Sequence, residues 1–191
     1  MESVVINAND LRVGDRFIHQ GKIYEVLDHQ HVQPGKGGAF MKLKVRSLEG
    51  GETDTLTLRS EERVGKLIVE EIPVQFLYRK GEIFYFMDME TFEEYTLPQE
   101  KVEEMLKFVK EGDTLKLLKS GEEILGVSIP KFVELKVEST PPGVKGDTAS
   151  GGSKPATLET GFTLQVPLFI QPGDIIRVDT RSGKYVERVK D

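Results

Sequence analysis

The feature that most limits what this chain can fold into is a strict alternation of apolar and polar residues in short segments, each closed by a turn signal. In Met41-Lys42-Leu43-Lys44-Val45-Arg46 every second residue is basic and the others are apolar. Successive side chains of a strand point to opposite faces, so this spacing predicts a half-buried strand whose wet face is positive. Thr53 to Leu58 continues the pattern, and Gly50-Gly51 between the two is a hairpin signal. Arg16 to His19 and Lys22 to Val26, joined by Gln20-Gly21, predict a second hairpin. The first third therefore reads as a small antiparallel barrel or sandwich.

The rest of the chain repeats the theme. Val74 to Tyr78 and Ile83 to Met87 flank the turn Arg79-Lys80-Gly81-Glu82, and further strands are expected at Val133 to Val137, Phe162 to Val166, Ile175 to Asp179 and Tyr185 to Val189. One segment, residues 99–110, reads as a helix: Val102, Met105, Leu106 and Val109 recur at helical spacing. Thr96 and Gln99 suit a capping box ahead of it, and Gly112 suits its stop. Its polar face is mixed in sign, which argues against a membrane surface and for packing across one end of a barrel. Residues 141–156 are rich in Gly, Pro and Ser and read as a long loop. The pair Gly-Asp recurs at 14–15, 112–113 and 173–174, each time ahead of an alternating strand. Three modules of roughly 60 residues account for 38% apolar and 30% charged residues in a chain of 191, because small barrels have little interior.

Several classes of chemistry are excluded. There is no cysteine, hence no disulfide scaffold, thiolate metal site or cysteine nucleophile, and a reducing cytoplasm is the expected setting. No apolar run approaches the ~18 residues of a membrane helix, and Met1-Glu2-Ser3 does not open a secretory signal. Gly35-Lys36-Gly37 is not a dinucleotide fingerprint, since Phe40 stands where a third glycine belongs, and Gly152 stands where a phosphate loop after Gly146 to Gly151 requires lysine. His29 and His31 share a strand face without a third ligand. No catalytic residue, metal site or cofactor is predicted, and the chain does not read as an enzyme.

Charge and loop chemistry point elsewhere. The net charge of −6 is concentrated in residues 66–128, with 8 basic and 14 acidic side chains, while residues 34–48 hold Lys36, Lys42, Lys44 and Arg46 and no acid. Such a stretch can approach phosphate, although a solvated strand face would look the same. Residues 34–40, Pro-Gly-Lys-Gly-Gly-Ala-Phe, join two strands through a tip whose one long side chain is Lys36. Pro34 stiffens the entry, and Gly35, Gly37 and Gly38 allow close backbone approach. The tip is either a loose glycine hairpin with an incidental lysine or a probe for a narrow, negatively charged space such as one lined by nucleic-acid backbone.

These residues resemble the bacterial elongation factor P family, relatives of the hypusine-bearing eukaryotic and archaeal factor. The resemblance spans essentially the whole chain. It rests on Pro34 to Phe40, Phe84 to Phe92, Phe132 to Leu135, Lys145 to Ala149, Lys154 to Gly161, Val166 to Ile170 and Val178 to Tyr185. It implies an all-β fold of three small β-barrel domains, the first SH3-like or KOW-like and the second and third of OB-fold type, in an L-shaped, tRNA-like arrangement that suits the acidic middle third. The boundaries would be 1–66, 67–129 and 130–191. It implies a monomer that binds the 70S ribosome between the peptidyl and exit tRNA sites, without membrane association, and promotes peptide-bond formation at consecutive prolines. Lys36 would contact the CCA end of peptidyl-tRNA and be a target for a lysine-modifying enzyme. β-Lysyl and aminopentanol groups occur at this position in relatives, whereas rhamnosylation belongs to relatives with arginine there. Lys42, Lys44 and Arg46 would meet RNA phosphates. Lys145, Gly151, Gly152, Lys154, Tyr185 and Arg188 would meet tRNA or the small subunit. Pro141-Pro142 and Ser150-Gly151-Gly152-Ser153 depart from the family pattern on the codon side. The rival reading is a generic OB-fold protein for single-stranded RNA, which would need exposed aromatic platforms such as Phe84, Tyr85 or Phe86.

Overall fold

The computed structural model describes residues 1–143 and 152–190. They form an all-β chain with three antiparallel sheets, divided between two compact units. The first unit comprises Met1–Glu104 and Glu111–Ser128, the second Met105–Lys110 and the residues from Ile129 onward.

The first unit opens with β1 (Ser3–Asn7), β2 (Arg16–His19), β3 (Lys22–Val32), β4 (Phe40–Ser47), β5 (Thr53–Arg59) and β6 (Arg63–Leu67), ordered β1-β6-β2-β3-β4-β5. The β2–β3 hairpin closes through Gln20 at φ 50° and Gly21 at φ 77°. Both values are positive, as a turn matched to strand twist requires. Phe17, Tyr24, Val26, Met41, Leu43, Val45, Leu58 and Val64 point inward with Ala8 and Leu11 to form its core. Burial of each large side chain contributes about 1.5–3 kcal/mol.

The second sheet holds β7 (Glu70–Lys80), β8 (Ile83–Asp88), β9 (Glu94–Pro98), β10 (Thr114–Ser120) and β11 (Glu123–Ser128), ordered β11-β10-β7-β8-β9. Phe76 packs between Phe84 and Phe86, with ring centroids 5.8 and 5.5 Å away. Leu48 and Leu67 of the first sheet region join Leu118 and Leu125 of the second in one buried cluster with Ile18, Ile23 and Val69 around it. The Glu2 N–H donates to Ser120 Oγ at 3.0 Å, and that hydroxyl donates to the Ile68 carbonyl at 2.9 Å. The second unit contains β12 (Phe132–Ser139), β13 (Ser153–Leu158), β14 (Thr163–Pro167), β15 (Ile175–Asp179) and β16 (Lys184–Arg188), ordered β14-β13-β12-β15-β16 around Leu135, Val137, Ala156, Leu158, Ile170, Ile176 and Val178.

Two expectations are corrected. The helix over 99–110 does not form. Gln99–Lys101 and Leu106–Phe108 are separate 3-10 turns, and Val102 between them leaves helical conformation at φ −133°, ψ −10°. Thr96 lies inside β9 opposite Tyr85 rather than at a cap. The apolar spacing did report burial, since Val102, Met105, Phe108 and Val109 are all buried while Leu106 is half-buried. A single helical stripe faces a single body, but this segment passes from one compact unit to the other. The loop expected over 141–156 is also shorter, because Ser153 to Ala156 already pair with Pro167 to Leu164 in β13–β14.

The Gly-Asp repeat is geometric. Gly14, Gly112 and Gly173 have φ of 92°, 91° and 91°. Their N–H groups donate to the carbonyls of Val26, Phe76 and Val137 at 2.8, 2.7 and 2.8 Å. The N–H groups of those same three residues donate back to the carbonyls of Asp15, Asp113 and Asp174 at 2.9, 2.9 and 2.8 Å. One turn therefore launches β2, β10 and β15 in the same way, against an inward-facing residue of β3, β7 and β12.

Candidate functional site

The β3–β4 ladder runs up to the pair Val32–Phe40, and residues 33–39 continue beyond it as a finger. Gln33, Pro34, Gly35, Lys36, Gly37 and Gly38 are all exposed. Gly37 sits at φ 113°, where a side chain would be strained. Gly35 and Gly38 have no such constraint, and a Cβ on either would meet nothing within 4 Å. Nothing among the described residues therefore requires them to be glycine. Their effect is to keep the finger thin around the Lys36 ammonium.

On β4, Lys42 and Lys44 are exposed on one face, opposite Gln30 and Asp28 of β3 and Thr57 and Thr55 of β5. Arg46 is a correction to the expected basic face. It is 6% exposed and lies opposite Glu25, whose carboxylate it attracts. The alternation continues, but the wet face ends where the second sheet's charges arrive. Arg16 stands 3.6 Å from Glu25 and 2.8 Å from Glu71, and Lys116 reaches Glu71 at 2.9 Å. Burial holds the Glu25 carboxyl above the usual carboxylate range in spite of Arg16 and Arg46. Hydrogen bonds from Lys116 and Arg16 hold Glu71 below it. Sequence reading missed this network, because its members lie far apart along the chain.

In the second unit, Lys145 and Gly151 lie outside the described residues. Lys154 is a second correction. It is 6% exposed, and its ammonium donates to the Pro141 carbonyl at 2.7 Å. With Thr140 Oγ1 donating to the Pro155 carbonyl at 2.8 Å, it ties β13 to the end of β12 instead of offering a free cation. Gly152 and Tyr185 both line a groove of about 820 Å³ bounded by Phe162, Leu164, Val166 and Phe169. Partial burial is the main cause that pushes the Tyr185 hydroxyl above its ordinary value. Arg188 is exposed, with its guanidinium 5.3 Å from the Phe169 ring centre and 3.9 Å from Asp174.

The platforms that a generic RNA binder needs are mostly absent from the expected strand. Phe84 and Phe86 are 2% and 1% exposed, and Tyr85 is stacked on Tyr78 at 4.6 Å. Among the described residues no cluster of three or more His, Asp or Glu could hold a metal, and no helix is long and apolar enough to cross a membrane.

Three family models match consecutive parts of the chain: the elongation factor P KOW-like domain over residues 7–64, the elongation factor P OB domain over 69–127, and the elongation factor P C-terminal model over 133–188. The chain belongs to the elongation factor P family. Relatives named Elongation factor P from Carboxydothermus hydrogenoformans and Natranaerobius thermophilus are 47% and 48% identical over 97% of this chain, covering 100% and 99% of their own lengths. A solved structure titled as eukaryotic translation initiation factor 5A from Methanococcus jannaschii is similar over 66% of this chain and 92% of its own, with 22% identity and a TM-score of 0.46. Elongation factor P proteins are translation factors, which work with the ribosome and tRNA, and not enzymes.

Proposed function

We propose that this translation factor binds the 70S ribosome between the peptidyl and exit tRNA sites and promotes peptide-bond formation at consecutive prolines, with Lys36 bracing the CCA end of peptidyl-tRNA. The observation that carries this reading is one exposed ammonium on a finger whose flanking glycines have no packing reason to be glycine. Proline is a poor incoming nucleophile, and consecutive prolines constrain the nascent chain. A brace that restricts the peptidyl end to reactive geometries raises the rate without supplying chemistry, which remains with ribosomal RNA. Backbone N–H groups of Gly35, Gly37 and Gly38 add contacts without bulk. Lys42 and Lys44 face phosphate beside the finger, while Arg46 and Lys154 are held within the protein. Gly152, Tyr185 and Arg188 form the surface of the second unit offered to tRNA or the small subunit. The three family-model segments act as three domains of a cytoplasmic monomer that needs no cofactor, and Lys36 is the site for a modifying enzyme.

Sedimentation separates this reading from generic RNA binding. The factor is expected to co-sediment with ribosomes carrying peptidyl-tRNA and to bind free single-stranded RNA weakly. Tight free-RNA binding with no ribosome association would refute the proposal.

A further inference from the structure

The root of the finger is held by a residue that no charge or motif marks. We propose that Ser60, acting with His31, is a positioning residue for Lys36: it ties the returning leg of the finger, and the strand end that feeds its outgoing leg, to the turn after β5 and so sets where the ammonium is presented. The inference rests on the reading of Lys36 given above. Ser60 follows β5 in the turn to β6 and is 5% exposed. Its N–H donates to the Ala39 carbonyl at 3.0 Å, on the returning leg. Its hydroxyl lies 3.1 Å from His31 Nε2, in β3 one pair before the ladder ends and the outgoing leg begins. Its carbonyl accepts from the Asn9 N–H at 3.0 Å, in the segment after β1. A hydroxyl both donates and accepts, so the His31 contact is available to either ring tautomer.

The lever is long for so small a clamp. The ladder ends at Val32–Phe40, and three glycines give the stretch beyond it wide backbone freedom. A pocket of about 1030 Å³, lined by His31, Gln33, Phe40, Ser60 and Glu62 among others, opens beside the root and leaves the finger room to swing. Three to four extended residues on each leg reach on the order of 10 Å, so a tilt of about 10° at the root displaces the tip by roughly 2 Å. Misplacement by about 1 Å can cost a positioned reaction on the order of 100-fold, which is the ceiling for a finger held permanently in the tilted position; loss of one hydrogen bond tilts it only part of the time and costs less.

Three single variants, and the double alanine variant that combines the first two, test the clamp in the full chain: Ser60→Ala, which keeps both backbone bonds, His31→Ala, which changes an exposed side chain, and His31→Gln, which keeps a hydrogen-bonding group. Backbone amide relaxation of Gly35, Gly37 and Gly38 is measured in the free protein. The rate of peptide synthesis through consecutive prolines is measured in reconstituted translation beside Lys36→Ala. The alanine variants are expected to lower the tip's order parameters and to slow synthesis roughly three- to tenfold, the range a single hydrogen bond supplies. The double alanine variant should be no worse than the poorer single one, because both remove the same contact. His31→Gln should recover most of the rate at an unchanged unfolding midpoint. Unchanged tip relaxation in both alanine variants overturns the clamp, and so does altered relaxation with an unchanged rate while Lys36→Ala abolishes it. If Lys36→Ala leaves the rate intact, the reading of Lys36 itself fails, and tip relaxation alone decides whether Ser60 holds the finger.

Discussion

Replacing Gly14, Gly112 and Gly173 by alanine, one at a time, performs one experiment three times in one molecule. All three glycines share a φ of 91–92°, and a Cβ on any of them would meet nothing within 4 Å. Packing therefore contributes nothing, and the backbone conformation alone sets the cost. Holding an L-residue in a sparsely populated region costs about 1–3 kcal/mol. Alanine also restricts the unfolded chain more than glycine does, which returns about 0.4–1 kcal/mol. The net expectation is a loss of about 1–2 kcal/mol at each site, equal within the error of urea denaturation. Gly35→Ala is the control, because its φ is not positive and its surroundings are open, and it should move stability by less than about 0.5 kcal/mol. Three unequal losses, or no loss at any site, would refute the claim that the same turn launches β2, β10 and β15.

Two further outcomes follow from the charges. Arg16→Met leaves Glu25, with 16% of its side chain exposed, without its nearest cation, and should cost about 2–4 kcal/mol by urea denaturation, discounted from a fully buried pair because Glu71 remains partly solvated; a loss under about 1 kcal/mol would contradict the network. Asp179 is held below the usual carboxylate range, first by the Arg181 side chain and also by the Arg181 N–H. A depressed carboxyl stabilises the fold above its unfolded pKa, so the contribution is lost as pH falls below about 4. Asp179→Asn should flatten that acid limb in a pH series of thermal unfolding, and an unaltered limb would contradict the assignment.

The hairpins were legible wherever one face is wet and the other dry. Met41 to Val45 alternates because Met41, Leu43 and Val45 are in the core while Lys42 and Lys44 are in water. The same rule failed one step later at Arg46, because sequence period does not reveal that Glu25 and the second sheet's charges cover that end of the face. The helix expected at 99–110 failed for a related reason: apolar spacing records which residues are buried but not whether one body buries them all. The Gly-Asp turns were visible as a pair of letters, and only the matching bonds to Val26, Phe76 and Val137 show them to be one device. Lys36 stood out because glycines surround it. Ser60 did not, since a lone serine has no signature and its role arises from bonds to Asn9, His31 and Ala39 across the fold.

The most direct test concerns the ammonium itself. Lys36→Ala, purified beside the parent and carried through reconstituted translation of a message with consecutive prolines, should lose the acceleration at those codons. It should also keep the parent's unfolding midpoint, since Lys36 is exposed. Full acceleration by the alanine variant would contradict the account.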